Sequence, residues 1–219
     1  MQSNHSSGNV LFLILIAVVL FAALSYAVTS SSRSGGNVDK EKNELAISNL
    51  MQQLTLLDQS IMRLKILNKC TDKEISFENT TVSGYSFATR DKCKLFEPQG
   101  GGLNWLVPVK KVGESNYRYN HRNWVLGQGC SGSTNCTDLI MMWRNIPDDL
   151  CLAINKKMLD IDLTTIPSNS NSMDDLDYYN GSRSPNGRIY VSALNRGKTG
   201  CFKKTSSTSN IFFYTLIKY

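Results

Sequence analysis

The chain has 219 residues, 41% of them hydrophobic and 19% charged, with 24 Lys and Arg against 18 Asp and Glu. This composition excludes an intrinsically disordered or collagen-like chain, and it leaves about 180 residues for one folded domain once an apolar segment is set aside. A net charge of +6 suits an anionic partner or an anionic lipid surface and selects neither.

Residues 1–9 form a polar tail without Lys or Arg. Val10 to Val28 follows, VLFLILIAVVLFAALSYAV, with no charge. At about 1.5 Å per residue it spans roughly 28 Å, the thickness of a hydrocarbon layer. This segment, 10–28, is expected to be an uncleaved transmembrane helix. The alternative is a signal peptide cut after Ser25-Tyr26-Ala27, a small-x-small site. The run is longer than an ordinary signal-peptide core and lacks the basic flank of one.

Residues 29–37 read as a flexible joint carrying Gly35 and Gly36. The domain then occupies 38–219. From about Asn37 to Lys69 the chain lacks Gly and Pro, and Ile47, Leu50, Leu54, Leu57, Ile61 and Leu64 recur at 3-4-3-4-3 spacing. That predicts a long amphipathic helix with a buried seam, widened by Met51, Leu56, Met62 and Leu67. Packing on a sheet is preferred to a coiled-coil stalk.

After Cys70 the pattern changes to period two. Strands are expected over Glu74–Val82, the YSFAT stretch after Gly84, Cys93–Phe96, Leu103–Val112 and Asn123–Leu126. Gly100 to Gly102 read as a turn, because no Lys and no following helix make a phosphate loop of them. Asp138–Trp143 is apolar throughout and fits strand or helix. Pro147 opens a short helix, acidic at its start and basic at its end. Residues 164–187 are rich in Ser, Asn and Asp and read as a long surface loop. Ile189–Leu194 and Ile211–Ile217 close the domain as strands. The expected fold class is α+β: an N-terminal transmembrane helix, then a long amphipathic helix on a mainly antiparallel sheet, disulfide-bonded.

Six cysteines, Cys70, Cys93, Cys130, Cys136, Cys151 and Cys201, all follow the apolar segment. An even count with no C-x2-C pair points to disulfides in an oxidising compartment rather than to zinc. Six cysteines allow fifteen pairings. The sequential one, Cys70–Cys93, Cys130–Cys136 and Cys151–Cys201, is preferred. It places the C-terminal domain outside the cytoplasm. Arg33, Lys40 and Lys42, which follow the apolar segment, argue the other way, but long domains cross membranes largely regardless of local charge.

Several stretches carry a resemblance: GNVLFLILIAVVLFAALSYAVTSSSRSGG, LKILNKC followed by EISFEN, KCKLFEPQGGGLNW, IPDDLCLAIN, and GCF followed by NIFFYTLIKY. With them the chain is similar to a family of uncharacterised alphaproteobacterial single-pass envelope proteins. Its layout resembles type IV pilins and pseudopilins. The resemblance implies a pilin-like structural or assembly subunit of the cell envelope, with self-association or other envelope subunits as partners. A prepilin leader ends in Gly and carries Glu five residues on; here Gly8 is followed at that distance by Leu13.

No nucleophile elbow, P-loop, dinucleotide fingerprint or metalloprotease motif is present, so no enzyme and no cofactor is expected. Two segments carry weaker site hypotheses. Tyr117–Trp124 interleaves basic and aromatic residues behind Lys110 and Lys111, and Arg118, His121, Arg122 and Trp124 would form a ligand surface. The competing reading, a hairpin with one buried aromatic face, is preferred, and neither nucleic acid nor glycan is an expected partner. Asp174, Asp175 and Asp177 would offer oxygen ligands to calcium; a solvated acidic run is preferred, and no metal is expected. Sequons at Asn4, Asn79, Asn135 and Asn180 leave open a type II membrane glycoprotein with a ligand-binding ectodomain.

Overall fold

The structure is a computed structural model that describes residues 7–31, 35–109, 112–128, 137–181, 187–194 and 197–218. The chain divides into two compact units, 1–42 and 43–219. The first holds helix α1, Ser7–Ser31. Its stretch Leu11–Thr29 is long and apolar enough to cross a membrane, with a mean hydropathy of 2.8. The side chains of residues 11–29 are exposed. A helix that is apolar all round wants lipid or protein on every side.

Helix α2, Gly35–Ile66, runs from the first unit into the second. It begins at Gly35, two residues before the expected start, so the expected joint over 29–37 is helical at both ends, over 29–31 and 35–37. Residues 32–34 lie outside the described residues. All six seam positions are buried, with Leu57 and Leu64 fully so. The seam is narrower than expected. Met51 and Met62 on one flank, Leu56 on the other and Leu67 just past the helix end are all exposed.

The second unit is built on a six-stranded sheet of order β3-β5-β6-β2-β1-β4. Its strands are β1 Arg118–Val125, β2 Asp138–Arg144, β3 Ser168–Asn169, β4 Gly187–Ile189, β5 Thr199–Lys204 and β6 Asn210–Ile217. The three central pairings are antiparallel, and the two outer ones, β3 with β5 and β4 with β1, are parallel. The sheet is therefore mixed. The parallel contacts arise because β3 and β4 are two- and three-residue pieces of long connections rather than hairpin arms.

Alternation along each strand feeds two cores. Leu139, Met141 and Trp143 of β2, Phe212 of β6 and Cys201 of β5 pack with the α2 seam. Ile140, Met142, Phe202, Ile211 and Phe213 form a smaller cluster on the opposite face with Met173, Val191 and Leu194. Because both faces are covered, β2 reads as a continuous apolar run in sequence.

Helix α3, Asp148–Leu159, has Pro147 at its N-cap and Asp148 and Asp149 in its first turn. Cys151 joins Cys201 of β5, with a Cα separation of 5.4 Å. One turn on, the Asn155 amide donates to the Cys201 carbonyl (2.8 Å) and accepts from the Cys201 N–H (2.7 Å). The side chain thus completes the hydrogen bonding of a strand edge as a neighbouring strand would. The Cys70–Cys93 bond ties the chain just after α2 to residues 91–93, a single 3-10 turn. The expected third pair, Cys130 and Cys136, lies outside the described residues.

Strands expected between Cys70 and Val112 do not form among the described residues. Asn79 Oδ1 accepts from the N–H groups of Thr81 and Val82, which turns the chain, and only a Ser76–Lys94 bridge survives. This irregular stretch supplies Phe77, Tyr85, Phe96 and Trp105 around Tyr119 of β1, with Phe77 stacked on Tyr119 at 4.3 Å. Gly100 and Gly101 form the expected turn; a Cβ on either would lie within 2.3 Å of the Lys94 or Leu95 carbonyl oxygen.

Candidate functional site

Strand β1 contains a bulge. Asn120 faces Ile140 of β2 while Asn123 faces Asp138, so one extra residue sits between them. The bulge brings Asn120 and Asn123 to the same side, where Asn123 Nδ2 donates to Asn120 Oδ1 at 3.1 Å. Both then grip the backbone of 174–177. Asn123 accepts from the Asp174 N–H at 2.9 Å and donates to the Asp174 carbonyl, and Asn120 donates to the Asp177 carbonyl at 3.1 Å. Gly187 of β4 makes room: a Cβ there would lie 2.2 Å from Asn123 Oδ1 and 2.5 Å from the Met173 Cα.

The two sequence hypotheses meet on this segment. Arg118 holds Glu114 at 2.6 Å, donates to the Leu176 carbonyl at 2.7 Å, and lies over the Tyr178 ring at 4.9 Å. Hydrogen bonding to Glu114 raises the pKa of its guanidinium. Arg122 reaches Asp177 at 2.9 Å and Asp174 at 3.7 Å. Arg122, a candidate for the ligand surface, is thus paired with two of the acids proposed for calcium, while Arg118 is paired with Glu114. Asp175, with a side chain only 3% exposed, is paired with Arg144 at 3.0 Å and with Lys204.

Residues 173–177 therefore form a strap across the second face of the sheet, and Tyr178 and Tyr179 carry it round to the helix-side cluster. Asp175 anchors it in the middle and Tyr179 at its end, where the Tyr179 N–H donates to the Tyr119 carbonyl at 2.8 Å. The stretch expected as a surface loop buries Asn169, Met173, Asp175 and Tyr179. Sequence reasoning did not find Arg144, Glu114 or Lys204, whose roles depend on strand pairings far apart in the chain.

The remaining candidates divide. His121 is buried, its Nδ1 3.4 Å from the Thr137 hydroxyl. Trp124 is half-buried with the Arg188 guanidinium over its ring at 5.4 Å. Lys110 and Lys111 lie outside the described residues. A ligand on Arg118 or Arg122 would have to displace carboxylates already in place, at the cost of leaving those acids unpaired. Among the described residues, no three His, Cys, Asp or Glu side chains are arranged to hold a metal ion.

Where β3 and β4 do not reach, the outer sides of β5 and β1 are held in the same manner. Cys201 on β5 is held by Asn155, and Tyr119 on β1 by the Tyr85 hydroxyl and Tyr179. Compared with known proteins, the chain matches no family model, no curated protein and no solved structure.

Proposed function

We propose that the protein is a membrane-anchored, non-catalytic structural or assembly subunit of the cell envelope, pilin-like or pseudopilin-like in layout, with its disulfide-bonded domain outside the cytoplasm. The observation that carries this reading is α1: an apolar helix, exposed along residues 11–29, belonging to the same chain as a domain whose polar clusters are occupied by one another. Such a helix suits two successive environments, lipid before assembly and a helix bundle after it. Ala22 and Ala23 allow close helix approach. The disulfides Cys70–Cys93 and Cys151–Cys201 support an oxidising location for the domain.

Single cysteines placed along residues 10–28 test this in the full chain. Crosslinks recurring at a helical period, in a protein retained in the membrane after alkaline extraction, are the expected result. A mature chain starting at Val28 overturns the anchor. A retained anchor with no periodic crosslinks overturns assembly through it. The alternative, a type II membrane glycoprotein with a ligand-binding ectodomain, is favoured by the exposure of the sequon residue Asn180. A mobility shift on glycosidase treatment would select it.

A further inference from the structure

Helix α2 carries a second seam on the face opposite the buried one. Leu45, Ser48, Gln52, Thr55, Gln59 and Met62 follow 3-4-3-4-3 spacing, continued at Ile66, and every one is exposed. From Leu45 to Leu57 the helix contains no Lys, Arg, Asp or Glu. Met51 and Leu56, which flank this seam, are 43% and 38% exposed. A solvated helix face ordinarily carries charges, and eight exposed or half-buried positions over successive turns without one call for a partner.

We propose that α2 pairs in parallel, along residues 45–66, with the same residues of a second copy of this chain. The argument is the complementarity of the flanking positions. In a parallel two-stranded pairing, each residue just before an a position meets the residue five further on in the partner. Met51 then meets Leu56 of the partner subunit, Asp58 meets the partner's Arg63, and Glu44 meets the partner's Asn49. The first pair is apolar, the second oppositely charged, and in the third the Asn49 amide can donate to the Glu44 carboxylate; each occurs twice about a two-fold axis. An antiparallel register would set Met51 against Asp58 and Leu56 against Asn49.

The structure leaves both charged partners able to pair. Asp58 accepts from Lys198 (3.0 Å) and from the Tyr214 hydroxyl through the same oxygen, Oδ2, which leaves Oδ1 for a further donor. Arg63 is exposed and makes no ion pair that the structure shows among the described residues. The polar residues at the seam's centre, Gln52, Thr55 and Gln59, fix the register at some cost in strength. The pairing is therefore weak in isolation and gains when anchors concentrate the copies in a membrane. In that sense the proposal rests on the assembly reading above.

The test uses the full chain in lipid vesicles, with one added cysteine and a short bismaleimide. Leu45→Cys and Gln52→Cys should each crosslink copy to copy, at least fivefold above a Lys157→Cys control on α3. Met51→Lys and Arg63→Glu, both at exposed positions, should each lower the Leu45→Cys yield at least threefold while leaving the circular dichroism unchanged. Crosslinking of Leu45→Cys/Met62→Cys without that of Leu45→Cys alone would make the pairing antiparallel and overturn the proposal. Crosslinks along residues 10–28 without any in α2 would overturn it and leave anchor-mediated assembly standing. Crosslinks in α2 alone would support it and count against the anchor as the assembling element. Equal yields at Leu45→Cys and Lys157→Cys would overturn it.

Discussion

The two faces of the central sheet are covered by different means. On one, regular helices lay apolar seams onto the strands: Leu54, Leu57 and Ile61 of α2 and Leu150 and Ile154 of α3 share a cluster with Met141, Trp143 and Phe212. On the other, an irregular strap is held by side-chain hydrogen bonds and ion pairs above a smaller apolar cluster. The helix face derives its stability from area removed from water, which is tolerant of direction. The strap face depends on geometry, because its buried charges stabilise only while each keeps its partner.

The largest expected effect lies where the helix face is cross-linked. Replacing Cys151 and Cys201 by Ala opens a link spanning 50 residues. Chain entropy puts the loss at about 4 kcal/mol, against about 3 kcal/mol for Cys70–Cys93, and denaturant titration measures both. A smaller loss at Cys151–Cys201 than at Cys70–Cys93 would mean that Asn155 alone holds α3 to β5.

On the same helix, Leu54→Ala should cost about 2–5 kcal/mol, because it empties a buried seam position. Met62→Ala, at a residue 64% exposed, should stay within about 0.5 kcal/mol. Equal losses would show that both faces of α2 are covered in the isolated subunit.

The strap separates its own charges in the same way. Asp175→Ala takes the carboxylate from Lys204 and leaves Arg144 only its longer pair with Glu114 (3.7 Å). Both bases have side chains about one-sixth exposed, and the change should cost about 2–3 kcal/mol. Arg122→Ala removes a more exposed pair and should cost below about 1 kcal/mol. Hydrogen exchange at residues 173–179 should rise in the first variant and barely change in the second.

The smallest effect is spectroscopic. Burial raises the hydroxyl pKa of Tyr85, Tyr117 and Tyr119 above the ordinary value of 10. The folded state holds these protons more tightly than the unfolded chain does. Their stabilisation is therefore complete below pH 10 and is lost as the pH climbs past it. Absorbance near 295 nm should show the exposed tyrosines ionising first, with these three appearing together as the domain unfolds in alkali.

How much was legible in sequence follows from the range of each interaction. The α2 seam repeats every three or four residues, so local spacing was enough to find it. Its apparent widening by Met51 and Met62 misled because apolar character does not say what stands opposite. Strand β2 stayed open between strand and helix since both of its faces are buried. Glu74–Val82 alternates as a strand does, yet the Asn79 side chain bonds its own backbone and turns the chain instead. For the candidate site, the types of residue were visible and their partners were not. Asn123 and Asp174 are 51 positions apart, and nothing local announces that the acids of one segment neutralise the bases of another.

The bulge in β1 also acts as a parity switch. Before it, the odd-numbered Tyr117 and Tyr119 belong to the helix-side cluster; after it, the odd-numbered Val125 belongs to the opposite one. One surplus residue thus reverses which face every later side chain of the strand serves. Deleting either His121 or Arg122 would leave composition almost untouched while restoring an uninterrupted alternation. Val125 would keep its face, and Asn120 and Asn123, then two positions apart, would still share theirs; only the intact strand forced into uninterrupted alternation would turn Val125 toward the helices. By absorbing one residue more than alternation allows, the bulge keeps the later half of the strand in phase with its core.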